Sequence, residues 1–188
     1  SQNYQKIDIF TLMKKKHLVI LGAGLPHFGS KASAIYNIIK NIMSLSFILN
    51  YSKNDISKIS FVSGYNYLAI KKKFPKLKLI YNKNWKKTGP IYSLSLAEIS
   101  EDEDLIIIYS DILIRKFFFK NVVNSKSDLT ISHDSYYKKR YVNRSKIDVF
   151  NKEKIIFLKN KYKFKNKFYP RGTTSELLGL IKISSSKV

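Results

Sequence analysis

The stretch His17-Leu18-Val19-Ile20-Leu21-Gly22-Ala23-Gly24 is an apolar run that stops in two glycines, and a helix-like segment follows it from Ser30. A short buried strand that delivers the backbone into a glycine turn ahead of a helix places amide N–H groups where a phosphate can sit. Gly-x-Gly also closes tight turns that hold no ligand. The spacing of a dinucleotide fingerprint is not met either, because Phe28 stands near the helix start where a third glycine is needed. The turn therefore has two readings, phosphate loop or plain strand-to-helix connection, and the segments around it must arbitrate.

Outward from this turn, extended and helical patterns alternate. Residues 17–21 read as a fully buried strand. With Ser30 as N-cap, Ile35, Ile38, Ile39, Ile42 and Met43 recur at helical spacing and predict a helix of about three turns. Residues 59–63 form a second strand that breaks at Gly64, and residues 66–74 a short helix stopped by Pro75. Residues 77–81 form a third strand. Pro90 can open a helix over residues 91–97, and Glu101 to Asp104 mark a surface turn.

Residues 105–109, Leu-Ile-Ile-Ile-Tyr, are apolar without alternation, as a central strand covered on both faces requires. Phe117, Phe118 and Phe119 belong to the next helix, and residues 128–132 to another strand. Asp148-Val149-Phe150 and Ile155-Ile156-Phe157-Leu158 flank a polar turn and read as a hairpin, and residues 177–183 as a closing strand. The pattern predicts a three-layer α/β/α sandwich with a mostly parallel central sheet and a late β-hairpin.

Composition bounds this picture. A chain of 188 residues with 44% hydrophobic content suits one domain, taken as residues 13–188 after an extension or linker over residues 1–12. No helix is expected after the last strand, so a C-terminal truncation or a fusion to another domain stays open. Cysteine is absent, which excludes disulfides and thiolate metal sites and suits a cytoplasmic location. No apolar run reaches the roughly 18 residues of a membrane span.

The formal charge of +22 would ordinarily direct attention to nucleic acid. Lysine supplies nearly all of it, however, and the lysines are scattered, as in Lys71-Lys72-Lys73 and Lys86-Lys87. Planar bidentate contacts to phosphate or guanine are arginine work. The charge is read as a generally anion-attracting field, with a dedicated nucleic-acid surface the weaker alternative.

In open α/β sheets ligands sit beyond the carboxyl ends of the strands. Three such ends carry useful groups: the glycine loop with His27, Lys31 and Ser33 beyond it, then Gly64-Tyr65, then Ser110-Asp111. Asp111, at the tip of the apolar strand, can coordinate magnesium on substrate phosphates, or it can cap a helix starting near Ile112. Lys31 is a candidate for the triphosphate or a solvated lysine. His27 and His133 have no ligand-spaced partners, so zinc is not expected. Serine-hydrolase and P-loop signatures are missing. The cluster from Lys138 through Arg140 to Arg144, interleaved with Tyr136, Tyr137 and Tyr141, either grips an anionic substrate or is a basic loop.

Together these segments resemble the nucleotidyltransferases of the sugar-nucleotide pyrophosphorylase superfamily, within it the phosphocholine cytidylyltransferase-like group. Val19-Ile20-Leu21-Gly22-Ala23-Gly24 is similar to that family's first strand and loop, Val62-Ser63-Gly64-Tyr65 to its Val-x-Gly-Tyr, and Asn82 with Thr88 to Leu94 to its Asn and Tyr-Ser-Leu run. Ile107-Ile108-Tyr109-Ser110-Asp111 resembles its apolar strand ending in Gly-Asp, with Ser110 in place of the glycine.

The resemblance implies attack by a phosphorylated or phosphonate acceptor on the α-phosphorus of a nucleoside triphosphate, with CTP implied by the Tyr-Ser-Leu run. Pyrophosphate leaves, and the product is an activated headgroup or sugar for surface-polymer synthesis. It implies nucleotide binding by Leu21, Gly22, Ala23, Gly24, Gly64, Tyr65, Thr88, Gly89 and Ser93 and substrate contact by Tyr92, while Arg140 and Arg144 of the basic cluster are the candidates to bind the acceptor. Catalysis would fall to Lys31 and Asp111, with Asp111 a ligand of Mg2+. Two departures stand out: the loop lacks the family's arginine and carries Pro26-His27-Phe28, and the family's second metal carboxylate has no clear match, Glu176 resembling the start of the strand before it. A catalytically weak nucleotide-binding or scaffolding domain is therefore the alternative.

Overall fold

The computed structural model describes residues 14–26, 29–39, 41–143, 154–158, 161–165 and 173–188. In chain order the elements are β1 (Lys16–Gly22), a 3₁₀ turn (Ser33–Ile35), β2 (Asn37–Ile39), β3 (Ile42–Met43), α1 (Ser44–Ser52), β4 (Lys58–Ser63), α2 (Tyr67–Lys73) and β5 (Lys78–Tyr81). They continue with α3 (Pro90–Ser95), β6 (Asp104–Tyr109), α4 (Lys116–Val123), β7 (Leu129–Asp134), α5 (Tyr137–Arg140), β8 (Lys154–Leu158), β9 (Lys161–Lys165) and β10 (Thr173–Ile183).

Eight strands form one sheet in the order β5-β4-β1-β6-β10-β8-β9, with β7 also on β10. β5, β4, β1 and β6 pair in parallel, and β10 runs against β6, β7 and β8 alike. It follows that β7 and β8 share the direction of β6, and only β10 and β9 are reversed. The expected mostly parallel sheet is present.

Alternation along the strands divides the core. Leu18, Ile20, Phe61, Ile106, Ile108 and Leu180 point to one face and pack with Leu45 and Ile48 of α1, Ile70 of α2 and Phe119, Val122 and Val123 of α4. Val19, Leu21, Val62, Leu105 and Ile107 point to the other, where Leu94, Leu96, Ala97 and Ile99 cover them. Each such side chain contributes about 1.5–3 kcal/mol on full burial. The apolar run of β6 is thus explained by helices on both sides of it.

Two local expectations, the helix over residues 33–43 and the surface turn at Asp104, are corrected. Residues 33–43 are not a helix: they form the 3₁₀ turn and the β2–β3 ladder, and the helix begins only at Ser44. β-Branched isoleucines favour extended backbone, and Asn41 adopts the left-handed conformation, φ 44°, that a tight turn between two strands uses. The Ser44 hydroxyl donates to the Ser33 carbonyl at 2.6 Å and fixes the start of α1 over that turn.

In the late hairpin, Ile155–Leu158 pairs with the following Lys161–Lys165, whereas residues 148–150 lie outside the described residues. Asp104, expected in a surface turn, is buried at the start of β6. Among the described residues no helix is long and apolar enough to cross a membrane.

Candidate functional site

The chain leaves β1 outward to β4 and β5, then returns to β6 on the opposite side of β1. This reversal of strand order opens a crevice at the carboxyl ends of β1 and β6. Leu21 and Tyr109 are register partners there, and the Ser110 N–H donates to the Leu21 carbonyl at 2.9 Å. A cavity of about 320 Å³ occupies the crevice, lined by Leu21 to Leu25 on one side, Trp85 and Thr88 to Pro90 on another, and Tyr109 to Asp111, with Ser33 and Ser93.

Two glycines let the walls approach. A Cβ on Gly22 would stand 2.5 Å from both Phe61 Cζ and Ser110 Oγ, so the buried Ser110 hydroxyl fills the space a side chain would need. A Cβ on Gly64 would meet Trp85 Cβ at 2.4 Å and the Ala23 carbonyl oxygen at 2.7 Å. That close approach permits the Tyr65 N–H to bond the same Ala23 carbonyl at 2.9 Å, tying the end of β4 to the glycine loop. The far part of the loop is held as well: the Tyr65 hydroxyl and Asn66 Nδ2 both donate to the Ser30 carbonyl, at 2.8 and 3.0 Å.

The Thr88–Ser93 wall is organised by Asn82, which is fully buried just beyond β5. Its Nδ2 donates to Thr88 Oγ1 at 3.0 Å and Ser93 Oγ at 3.1 Å, and its Oδ1 accepts from the Asn84 N–H at 2.9 Å. Thr88 Oγ1 in turn donates to the Asn84 carbonyl at 3.0 Å. Gly89 accepts the Ser93 N–H at 3.1 Å, and Pro90 begins α3, where its missing N–H costs nothing.

Asp111 lies in the turn after β6, exposed and lining the cavity. The helix beyond it starts at Lys116 with Arg115 at the N-cap position, so Asp111 does not cap it. Among the described residues it is the one carboxylate on the cavity wall, and no lysine, arginine or histidine joins it there.

Lys31 lines a different cavity, with Lys73, Tyr36, Asn37 and Asn41. Tyr92 is partly exposed on α3 and accepts from Asn84 Nδ2 at 3.3 Å. Arg140 pairs with Asp134 and lies 3.5 Å from Glu176 Oε2, while the Tyr141 hydroxyl donates to Glu176 Oε1 at 2.7 Å. Glu176 and Asp134 face each other across β10 and β7, and the guanidinium offsets the repulsion of two carboxylates so placed. Arg144, His27 and Phe28 lie outside the described residues. Trp85, which also lines the cavity, is absent from the sequence-derived set, its one signal being a lone tryptophan between Asn82 and Gly89.

Charged groups with displaced acidities stand at the amino ends of the strands, away from the cavity. Burial, aided by Lys58, pushes His17 below the usual imidazole range, against the opposing pull of Glu103. His17 Nε2 shares a 2.9 Å hydrogen bond with Ser60 Oγ. These are structural groups of the sheet.

The fold, with its cavity at the carboxyl ends of the strands, is similar to that of solved nucleotidyltransferases. Similar solved structures include the inositol-1-phosphate CTP transferase from T. maritima, with a TM-score of 0.68 and 16% identity over 91% of this chain and 71% of that one. A CTP:phosphocholine cytidylyltransferase from Streptococcus pneumoniae gives a TM-score of 0.59 and 17% identity over 90% and 71%. A putative glucose-1-phosphate thymidylyltransferase from Bacillus anthracis gives 0.60 and 14% over 91% and 72%. No protein-family model and no curated protein sequence matches the chain.

Proposed function

We propose that this chain transfers CMP from CTP to a phosphorylated or phosphonate small-molecule acceptor, with release of pyrophosphate. The observation that carries the reading is convergence: the glycine loop after β1, the Asn82-braced segment 88–93 and Asp111 after β6 line one cavity at the switch point of the sheet. The reaction requires an acceptor oxygen in line with the α-phosphorus and charge compensation as pyrophosphate leaves, more than proton transfer. Backbone amides of residues 22–24 suit the phosphates. Thr88 and Ser93 suit the polar edge of a base, since their hydroxyls are fixed by Asn82.

Asp111 fits a magnesium ion that arrives with the triphosphate: it is an exposed carboxylate on the cavity wall without an ion pair to a described residue, and such ions keep few protein ligands. Bound there, Mg2+ would supply neutralisation of phosphate charge. Arg140, oriented by Asp134 and Glu176 at the same carboxyl edge of the sheet, is the candidate for the acceptor's anionic group.

The second reading, nucleotide binding with weak or no turnover, is favoured by one observation: no cationic side chain among the described residues lines the cavity. Calorimetry with CTP, UTP, ATP and GTP in magnesium, followed by pyrophosphate release with phosphorylated and phosphonate acceptors, separates the two. Turnover with CTP supports transfer. Nucleotide binding without release supports the second reading, and no binding rejects both.

A further inference from the structure

We propose that Trp85 is the surface on which the nucleobase stacks, and that it supplies affinity common to all bases rather than choice among them; this rests on the nucleotide reading above. Trp85 is the only tryptophan in the chain. It sits in the turn after β5, half-buried, its backbone N–H donating to the Asn82 carbonyl at 3.3 Å, and it lines the cavity opposite the glycine loop.

Its placement is fixed from behind. Trp85 Cβ and Cγ lie 2.4 and 2.6 Å from where a Gly64 Cβ would be, so the absence of that atom gives the residue its seat. Tyr65 packs against the indole nearly edge-on, with centroids 5.5 Å apart and ring planes at 64°, and is itself anchored to the Ser30 carbonyl. Lys86 Nζ lies over the indole, 5.6 Å from its centroid, and brings a positive charge to the edge of this seat.

Among the described residues the cavity holds one other aromatic, Tyr109, and its ring is committed elsewhere: it lies against Gly179, 2.4 Å from the position of a Cβ there. With phosphates assigned to the backbone of the glycine loop, Trp85 is the aromatic side chain among the described lining residues left to meet a π-face. Stacking on an aromatic side chain tolerates every base and changes affinity by about 5- to 150-fold. Discrimination then falls to the hydroxyls of Thr88 and Ser93.

The test uses the lone tryptophan as its own reporter. Emission of the full chain is titrated in magnesium with CTP, UTP, ATP, GTP and inorganic tripolyphosphate, with calorimetry in parallel. The proposal expects a saturable emission change with each nucleotide that binds and none with tripolyphosphate. Trp85→Leu should weaken nucleotide binding about 5- to 150-fold and Trp85→Phe much less, with the order of preference among bases unchanged in both. Calorimetric binding without an emission change, an equal change with tripolyphosphate, or wild-type affinity in Trp85→Leu overturns the stacking role and leaves the nucleotide reading standing. Absence of calorimetric binding by all four nucleotides overturns both.

Discussion

The Asn82 side-chain amide donates to the Ser93 hydroxyl at 3.1 Å in a fully buried setting, and so links the end of β5 to the first turns of α3 across one wall of the cavity. Removing the amide takes the acceptor from the Asn84 N–H and the donor from the Thr88 and Ser93 hydroxyls. Asn82→Ala is expected to lower unfolding free energy by about 1–3 kcal/mol and Ser93→Ala by about 1 kcal/mol, with a double-mutant coupling above roughly 0.5 kcal/mol. Urea denaturation of the two single variants and the double variant measures this, and strict additivity would show that the two residues act independently.

The two glycines of the opening loop differ in what they tolerate. Gly22 has Phe61 and Ser110 each 2.5 Å from a Cβ position, whereas Gly24 has nothing within 4 Å. Gly22→Ala should cost about 1–3 kcal/mol through overpacking, while Gly24→Ala should melt close to wild type. Thermal and denaturant unfolding of the pair checks the contrast, and equal stability of the two variants would contradict the packing described.

Asp111 is exposed, and Arg115 rather than Asp111 stands at the N-cap of α4, so Asp111→Asn should leave the melting temperature within about a degree or two of wild type, as surface substitutions do. If the carboxylate holds magnesium, stabilisation by CTP depends on the metal in wild type and loses that dependence in the variant. Thermal shifts with CTP, with and without MgCl2, read both quantities. A variant that keeps the full magnesium response assigns the ion elsewhere.

Legibility followed the period of the pattern. The strands β1, β4, β5 and β6 were readable because buried parallel strands are short apolar runs, and their order placed Gly22, Gly64 and Asp111 at one edge. The segment 33–43 is ambiguous because isoleucines at positions 35, 38, 39 and 42 satisfy helical spacing as well as a bent ladder, and the left-handed Asn41 decides between them. Asn82 was noticed as a landmark, but its hydrogen bonds, like the contact of Trp85 with Gly64, join residues brought together by tertiary structure and carry no periodic signal. The same holds for the partner of Asp104, which is Lys182, far along the chain.

That pair contributes to the acid sensitivity of the fold. Lys182 Nζ lies 3.1 Å from Asp104 Oδ2, both side chains 4% exposed, and it also donates to the Ser125 carbonyl at 2.6 Å. Burial pushes the Asp104 carboxyl upward, but the Ser185 N–H and Lys182 outweigh it and hold the group below its ordinary value of 3.8. A carboxyl depressed in the folded state binds fewer protons than in the unfolded chain, so its stabilisation is complete above that ordinary value and is lost as pH falls through the folded one. Unfolding free energy measured from pH 6 down to pH 2 should decline on this account, and Asp104→Asn should show a shallower decline from a lower starting point. Lys182→Met, which leaves the carboxylate buried and unpaired, should cost about 3–5 kcal/mol at neutral pH. Its loss should shrink as acid protonates Asp104, whereas a pH-independent loss would trace the effect to packing of the lysine stem.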